Sequence, residues 1–310
     1  MSQNTDTLTE QGNKLFENEK YILAFKKYEQ AYKLNPTFNL NRKIIQTLYL
    51  AGNITDIGEF VSDFENDYLS NFQDTSLLIK ALISTNDFLQ ARQIVRNVDF
   101  SNENGQIDNL NFEIDLAANK YLIEHRNNIK SLKERTKSIV TEPVTEQVDL
   151  IHQLKYLSLN DYLKNTEVLL ENPWLHPLFK SSIAEDLVKL KITHKVGIYY
   201  FDENTTFIPC KYSLIADLKS LNHLKIDLKK ISPNLSPVEL NSVESELNLY
   251  AAMLYPFTDK IIDNPQLWIE VILAHFGIKK SALNLENSVK AGRVDRWLSK
   301  FEKLLNLFNS

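Results

Sequence analysis

Apolar and small residues recur along the first hundred positions with the period of stacked helices. In the stretch Tyr21 to Pro36, YILAFKKYEQAYKLNP, Ala24 precedes Tyr28 by four and Ala31 follows three later. That spacing puts all three on one face of a helix. Pro36 cannot continue the helix and ends it. A polar turn followed by a small residue and a helical run occurs three times, in NEKYILA (to Ala24), GNITDIG (to Gly58) and TNDFLQA (to Ala91), at separations of 34 and 33 residues. A period of this length means antiparallel helix pairs stacked in a row, each pair burying its apolar face on the next. Two helices approach closely only where side chains are small, so Gly12 is expected to face Ala24. Tyr28 then fills the wider gap one turn on, and Ala31 leaves room for the first helix of the next pair.

Beyond 104 the period fades. Apolar residues at 110, 114, 117, 121 and 122, then at 129, 132 and 139, predict one long amphipathic helix or a helix with one break. Two more helices follow in TEPVTEQVDLIHQLKYL and SLNDYLKNTEVLLENP, the second capped by Ser158 and ended by Pro173; they read equally as degenerate repeats of the same array. After a short helix in PWLHPLFKSSIAEDLVKLKI the pattern changes. HKVGIYYFDENTTFIPCKY alternates β-branched and aromatic residues and predicts a β-hairpin near 195–209. Its turn is expected at Asp202–Thr205 and its return strand in TFIPC. Both faces are apolar, so the hairpin is expected between helices or beside a partner strand. Helices are expected near 213–230, 236–255, 264–276 and 285–308. Ser236 and Pro237 open the second of these, with Glu239 in its first turn.

Region 5–104 resembles three tetratricopeptide repeats, on Gly12, Ala24, Tyr28 and Pro36 of the first unit and Phe88 and Ala91 of the third. Leu8, Gln11 and Leu15 depart from the usual residues, Val95 stands at an aromatic position, and the second unit is degenerate, with Gly58 for alanine and Ser62 for the aromatic. The order of this array, the NPWLHPLFKSSIAEDLVK segment, a hairpin and LNLYAAMLYPF is similar to a group of tetratricopeptide proteins of Gram-positive bacteria. The resemblance implies a mainly α fold: a right-handed α-α solenoid over 1–104 with about three units, a helical continuation over 105–172, and a C-terminal helical domain with the hairpin over 173–310. It implies no chemistry.

Composition agrees with a globular chain. Of 310 residues 43% are hydrophobic and 24% charged, and the formal net charge of −5 gives no general attraction for nucleic acid. The polar start of the chain lacks a basic-then-apolar signal, and no apolar run reaches membrane-spanning length, so a cytoplasmic location is expected. Seven glycines leave no glycine-rich phosphate loop. The six histidines show no zinc-ligand spacing, and no nucleophile motif occurs. No metal, cofactor or catalytic residue is expected. His176, before Pro177, reads as a helix cap, and Cys210 as a small buried hydrophobe. The basic run Lys130 to Lys137 reads as a solvated helix face. In the last helix Val294, Trp297, Leu298, Phe301, Leu304, Leu305 and Phe308 share one face. That face closes the domain core, or meets a partner helix or a membrane surface.

The leading functional reading is a protein-interaction scaffold that binds a peptide or helix of a partner. The alternatives are a regulator that binds nucleic acid through basic helix faces, and an enzyme domain at 174–310. In tetratricopeptide proteins the first helix of each unit lines the concave surface. The resemblance therefore places Asn13 and Phe16, then Lys43, Thr47 and Leu50, then Lys80 and Ile83 on that surface. Thr9, Ile44, Gln73 and Leu77 occupy most places of the family's carboxylate clamp, so a chaperone-tail clamp is not expected. An apolar segment with one or two acidic residues fits better, provided that the C-terminal half does not itself fill the groove.

Overall fold

The computed structural model describes residues 2–52, 57–100, 104–231, 235–278 and 285–308. Among them are seventeen α-helices and one two-stranded antiparallel sheet. The chain divides into two compact units, residues 1–135 with 150–164 and residues 136–149 with 165–310.

The first unit is a helical repeat solenoid built from α1 (Ser2–Glu17), α2 (Tyr21–Leu34), α3 (Phe38–Ala51), α4 (Gly58–Ser62), α5 (Glu65–Tyr68), α6 (Phe72–Ser84), α7 (Phe88–Asn97), α8 (Asn104–Glu124) and α9 (Arg126–Lys137). Each helix packs mainly on its neighbours: α1 on α2, α2 on α3, α3 on α6, α6 on α7, α7 on α8. The repeat is written into the backbone as well as the side chains. The first helix of each pair ends in a left-handed residue: Glu19 (φ 56°), Gly52 (φ 62°) and Asn86 (φ 61°). These lie 33 and 34 residues apart. In the outer two pairs the next residue closes the helix with the same bond, Lys20 N–H to the Leu15 carbonyl and Asp87 N–H to the Leu82 carbonyl, both 2.9 Å. The caps repeat too: Thr37 accepts the Leu40 N–H and Asn71 the Asp74 N–H.

Ala24, Tyr28 and Ala31 are buried together with Leu40 and Ile44, as the spacing requires. The nearest side chain to Gly12 is the Tyr28 ring. A Cβ at Gly12 would lie 2.5 Å from Cε1 of Tyr28, because the ring lies over the glycine while its hydroxyl donates to Asn13 Oδ1 at 2.9 Å. The second pair is the irregular one. Its returning helix is split into α4 and α5, and residues 53–56 of GNITDIG lie outside the described residues. A buried polar knot holds the split segment. Asn41 donates to the Phe60 carbonyl (2.7 Å) and the Tyr32 hydroxyl (3.2 Å) and accepts from the Tyr68 hydroxyl (2.8 Å). The long helix has its one break at His125, between α8 and α9. Within the basic run, Lys133 pairs with Asp161 at 2.6 Å and Leu132 is buried.

The remaining elements are α10 (Val144–Gln153), α11 (Leu159–Glu171), α12 (Pro177–Lys189), β1 (Val196–Tyr200), β2 (Glu203–Phe207), α13 (Lys219–Ile231), α14 (Pro237–Met253), α15 (Thr258–Ile261), α16 (Pro265–His275) and α17 (Leu285–Phe308). Ser158 accepts the Asp161 N–H as the expected cap of α11, and Ser236 forms a reciprocal capping box with Glu239. The hairpin pairs Val196 with Phe207 and Tyr200 with Glu203, so its turn is Phe201–Asp202, earlier than the expected Asp202–Thr205. Both turn residues have positive φ (43° and 78°), the conformation that matches strand twist in a two-residue hairpin. Pro209 accordingly begins a 3₁₀ turn after the return strand. No third strand joins among the described residues; the hairpin is held by helices. Tyr200 donates to the Leu254 carbonyl at 2.8 Å, and Phe201 meets Trp297 edge-on at 4.8 Å. Cys210 is exposed, not buried, because that 3₁₀ turn carries it to the surface. The helix expected from 213 starts at Lys219, after a 3₁₀ turn at Ile215–Asp217. The last helix closes this unit's core: Ala291, Val294, Leu298 and Phe301 are buried, and Phe301 stacks on Tyr250 at 4.8 Å. The side chain of Phe308 lies outside what the structure describes.

Candidate functional site

The first helices of successive pairs lie side by side. Lys43 of α3 donates to Asn13 Oδ1 of α1 at 2.6 Å, and Arg42 of α3 is ion-paired with Asp74 of α6. Along this row stand the residues that the register singles out. Phe16 is half-buried and edge-on to Tyr21 at 5.4 Å. Leu50 is 44% exposed. Lys80 and Ile83 are half-buried, Ile83 against the core of the solenoid. Asn13 and Lys43 are already engaged with each other. The Lys43 ammonium also sits 5.5 Å from the Tyr28 ring centroid, and burial lowers its pKa, with Arg42 adding to the effect. Thr47 is fully buried and donates to the Lys43 carbonyl, so it packs beneath the row. One apolar face here was not foreseen from the sequence. Phe112, Leu116 and Ile123, spaced four and seven apart on α8, are all exposed.

A second candidate lies in the unit formed by 136–149 and 165–310. A cavity of about 460 Å³ opens beside the start of α12, lined by Trp174, Leu175, Phe179 and Met253 and by the Ile198–Asp202 end of the hairpin. Lys180 lines it while only 5% exposed. Its ammonium donates to the Tyr199 carbonyl at 2.6 Å and lies 5.1 Å from the Tyr199 ring centroid. Burial pushes its pKa down to about 8. Lys300 and Lys303 also line the cavity, and Lys300 reaches Asp202 at 3.4 Å. Trp174 is 82% exposed. His176 accepts the Leu178 N–H as the expected cap, and burial pushes its pKa down to about 4. The sequence carried a faint signal for Lys180: it stands three, four and seven residues before Ile183, Ala184 and Leu187, a cation on the stripe that helix α12 buries.

No family model matches the chain, and no solved structure matches it. Among curated proteins, the TPR repeat-containing protein YsoA of Bacillus subtilis is 27% identical over 133 residues. The chain resembles tetratricopeptide proteins of Gram-positive bacteria. The matched stretch is 43% of this chain and 39% of YsoA, so the chain spans about two fifths of that relative's length. The likeness to a tetratricopeptide protein accords with the left-handed closures at Glu19, Gly52 and Asn86 and with the stacked pairs of the first unit. It supports a role in protein interaction in general terms. Among the described residues no helix is long and apolar enough to cross a membrane.

Proposed function

We propose that the protein is a cytoplasmic interaction scaffold whose solenoid receives a peptide or helix of a partner protein along the row of first helices. The observation that carries this reading is the lateral order of α1, α3 and α6, which sets Phe16, Leu50, Lys80 and Ile83 on successive helices. Their chemistry suits an apolar segment bearing one or two acidic residues. Phe16, Leu50 and Ile83 supply apolar contact, and Lys80, with no ion pair among the described residues, supplies the charge that fixes register. Lys43 and Asn13 contribute by bracing α1 against α3, and Thr47 by packing below them. A nucleic-acid or enzymatic role has no comparable observation behind it.

The test is affinity capture from the native cell with a Phe16→Ala, Leu50→Asp, Lys80→Glu variant whose circular dichroism and melting match the wild type. Loss of a partner that the wild type retains supports the reading. The exposed face of α8 offers a second surface for the same function. If the triple variant keeps the partner and Leu116→Asp with Ile123→Asp loses it, the partner docks on α8 instead.

A further inference from the structure

We propose that the cavity beside α12 binds a small organic carboxylate with an apolar body, its anion held by the Lys180 ammonium and its body lying against Trp174, Leu175 and Phe179. An ammonium has three N–H donors. Lys180 gives one to the Tyr199 carbonyl, and no carboxylate of the described residues lies within ion-pair distance of it. A buried cation that lines an open cavity with donors to spare is costly unless something anionic completes it. The backbone at the start of α12 does not take that part. The Leu178 N–H is given to His176 Nδ1 and the Phe179 N–H to the His176 carbonyl, so the donor that α12 offers here is the Lys180 side chain. The positive end of the α12 dipole adds to the attraction.

The rest of the wall selects the body. A volume of about 460 Å³ falls within the usual range for small-molecule sites. The lining is mostly aromatic and aliphatic, with Lys300 and Lys303 as further cations and Asp202 already matched to Lys300. One nearly buried ammonium, with no arginine in the lining and Lys300 already matched to Asp202, suits a carboxylate of single charge better than a phosphate. This inference stands apart from the scaffold reading, which concerns the other unit.

The probes are 3-phenylpropanoate and octanoate, each set against its alcohol, with inorganic phosphate alone as a further arm. Binding is read by calorimetry and by tryptophan emission in the wild type, Lys180→Met and Trp174→Ala. At least one carboxylate should bind about tenfold or more tightly than its alcohol, since the Lys180 ammonium is already desolvated and only the ligand's own desolvation opposes the pairing. Lys180→Met should bring the acid down to the level of the alcohol. Trp174→Ala, at an exposed position where folding is not at stake, should weaken both. Four results would each overturn the proposal: no carboxylate binds the wild type, acid and alcohol bind alike, Lys180→Met binds the acid undiminished, or phosphate alone binds as tightly as the acids.

Discussion

Replacing Lys180 with methionine should make the protein more stable at neutral pH. The side chain is nearly fully buried, and its pKa falls from 10.5 to about 8, burial being the cause. At about 1.4 kcal/mol per pKa unit, holding the proton in the folded state costs about 3 kcal/mol. Methionine removes that cost and keeps the volume, but leaves the Tyr199 carbonyl without its donor, a loss of about 1 kcal/mol. The net expectation is a gain of about 2 kcal/mol at pH 7, measured by denaturant unfolding. The folded pKa lies below the unfolded one, so between about pH 8 and 10.5 the unfolded chain holds a proton that the folded chain has released. Wild-type stability therefore rises with pH across that window, relative to the variant; the variant's advantage is lost by about pH 9.5, and at the top of the window the wild type is the more stable by about 1 kcal/mol. His176, Tyr199, Tyr200, Asp202, Lys300 and Lys303 also line the cavity and are common to both proteins, so the difference between the two curves isolates Lys180. A variant that is less stable at pH 7, with a difference that does not change up to pH 10.5, would show the ammonium to be well compensated already. The case for a spare anion site would then fail.

Other expectations follow from single contacts. Gly12→Ala drives a methyl group into the Tyr28 ring and should cost about 1–3 kcal/mol by thermal or denaturant unfolding. Asn41→Ala strands the Tyr68 hydroxyl and the Phe60 carbonyl and should cost about 2–4 kcal/mol, with the greatest gain in amide exchange over 57–68. Deleting residues 285–308 uncovers Tyr250 and the core side of α16 and should give an aggregating chain by size-exclusion chromatography.

The solenoid was legible in the sequence because its spacing is enforced twice. Small residues at Ala24 and Ala91 set the helix approach, and the turns between helices must fit the same period. The turn signal was hidden in two of three units, where Glu19 and Asn86 adopt the left-handed conformation that glycine would have advertised. The Tyr28 ring over Gly12 was not foreseen because spacing fixes which residues are small but not which ring covers them. The hairpin was legible from its alternation, while its turn was displaced because Phe201 and Asp202 carry positive φ without a glycine. Cys210 illustrates the same limit: an apolar neighbourhood in sequence says nothing of the 3₁₀ turn that exposes it. The cavity was illegible for a stronger reason. Its lining comes from α10, α12, the hairpin, α14 and α17, and no local pattern joins Val144 to Leu304.

The scaffold account is tested most directly by site-specific photo-crosslinking in the native cell. A photoreactive residue is placed at Leu50 or at Lys80 on the row of first helices, or at Lys33, which is well exposed on α2 and ion-paired only to its own helix through Glu29. The account predicts that positions 50 and 80 yield adducts to the same partner protein and position 33 does not. Adducts of equal yield at all three positions, or none at 50 and 80, would contradict it.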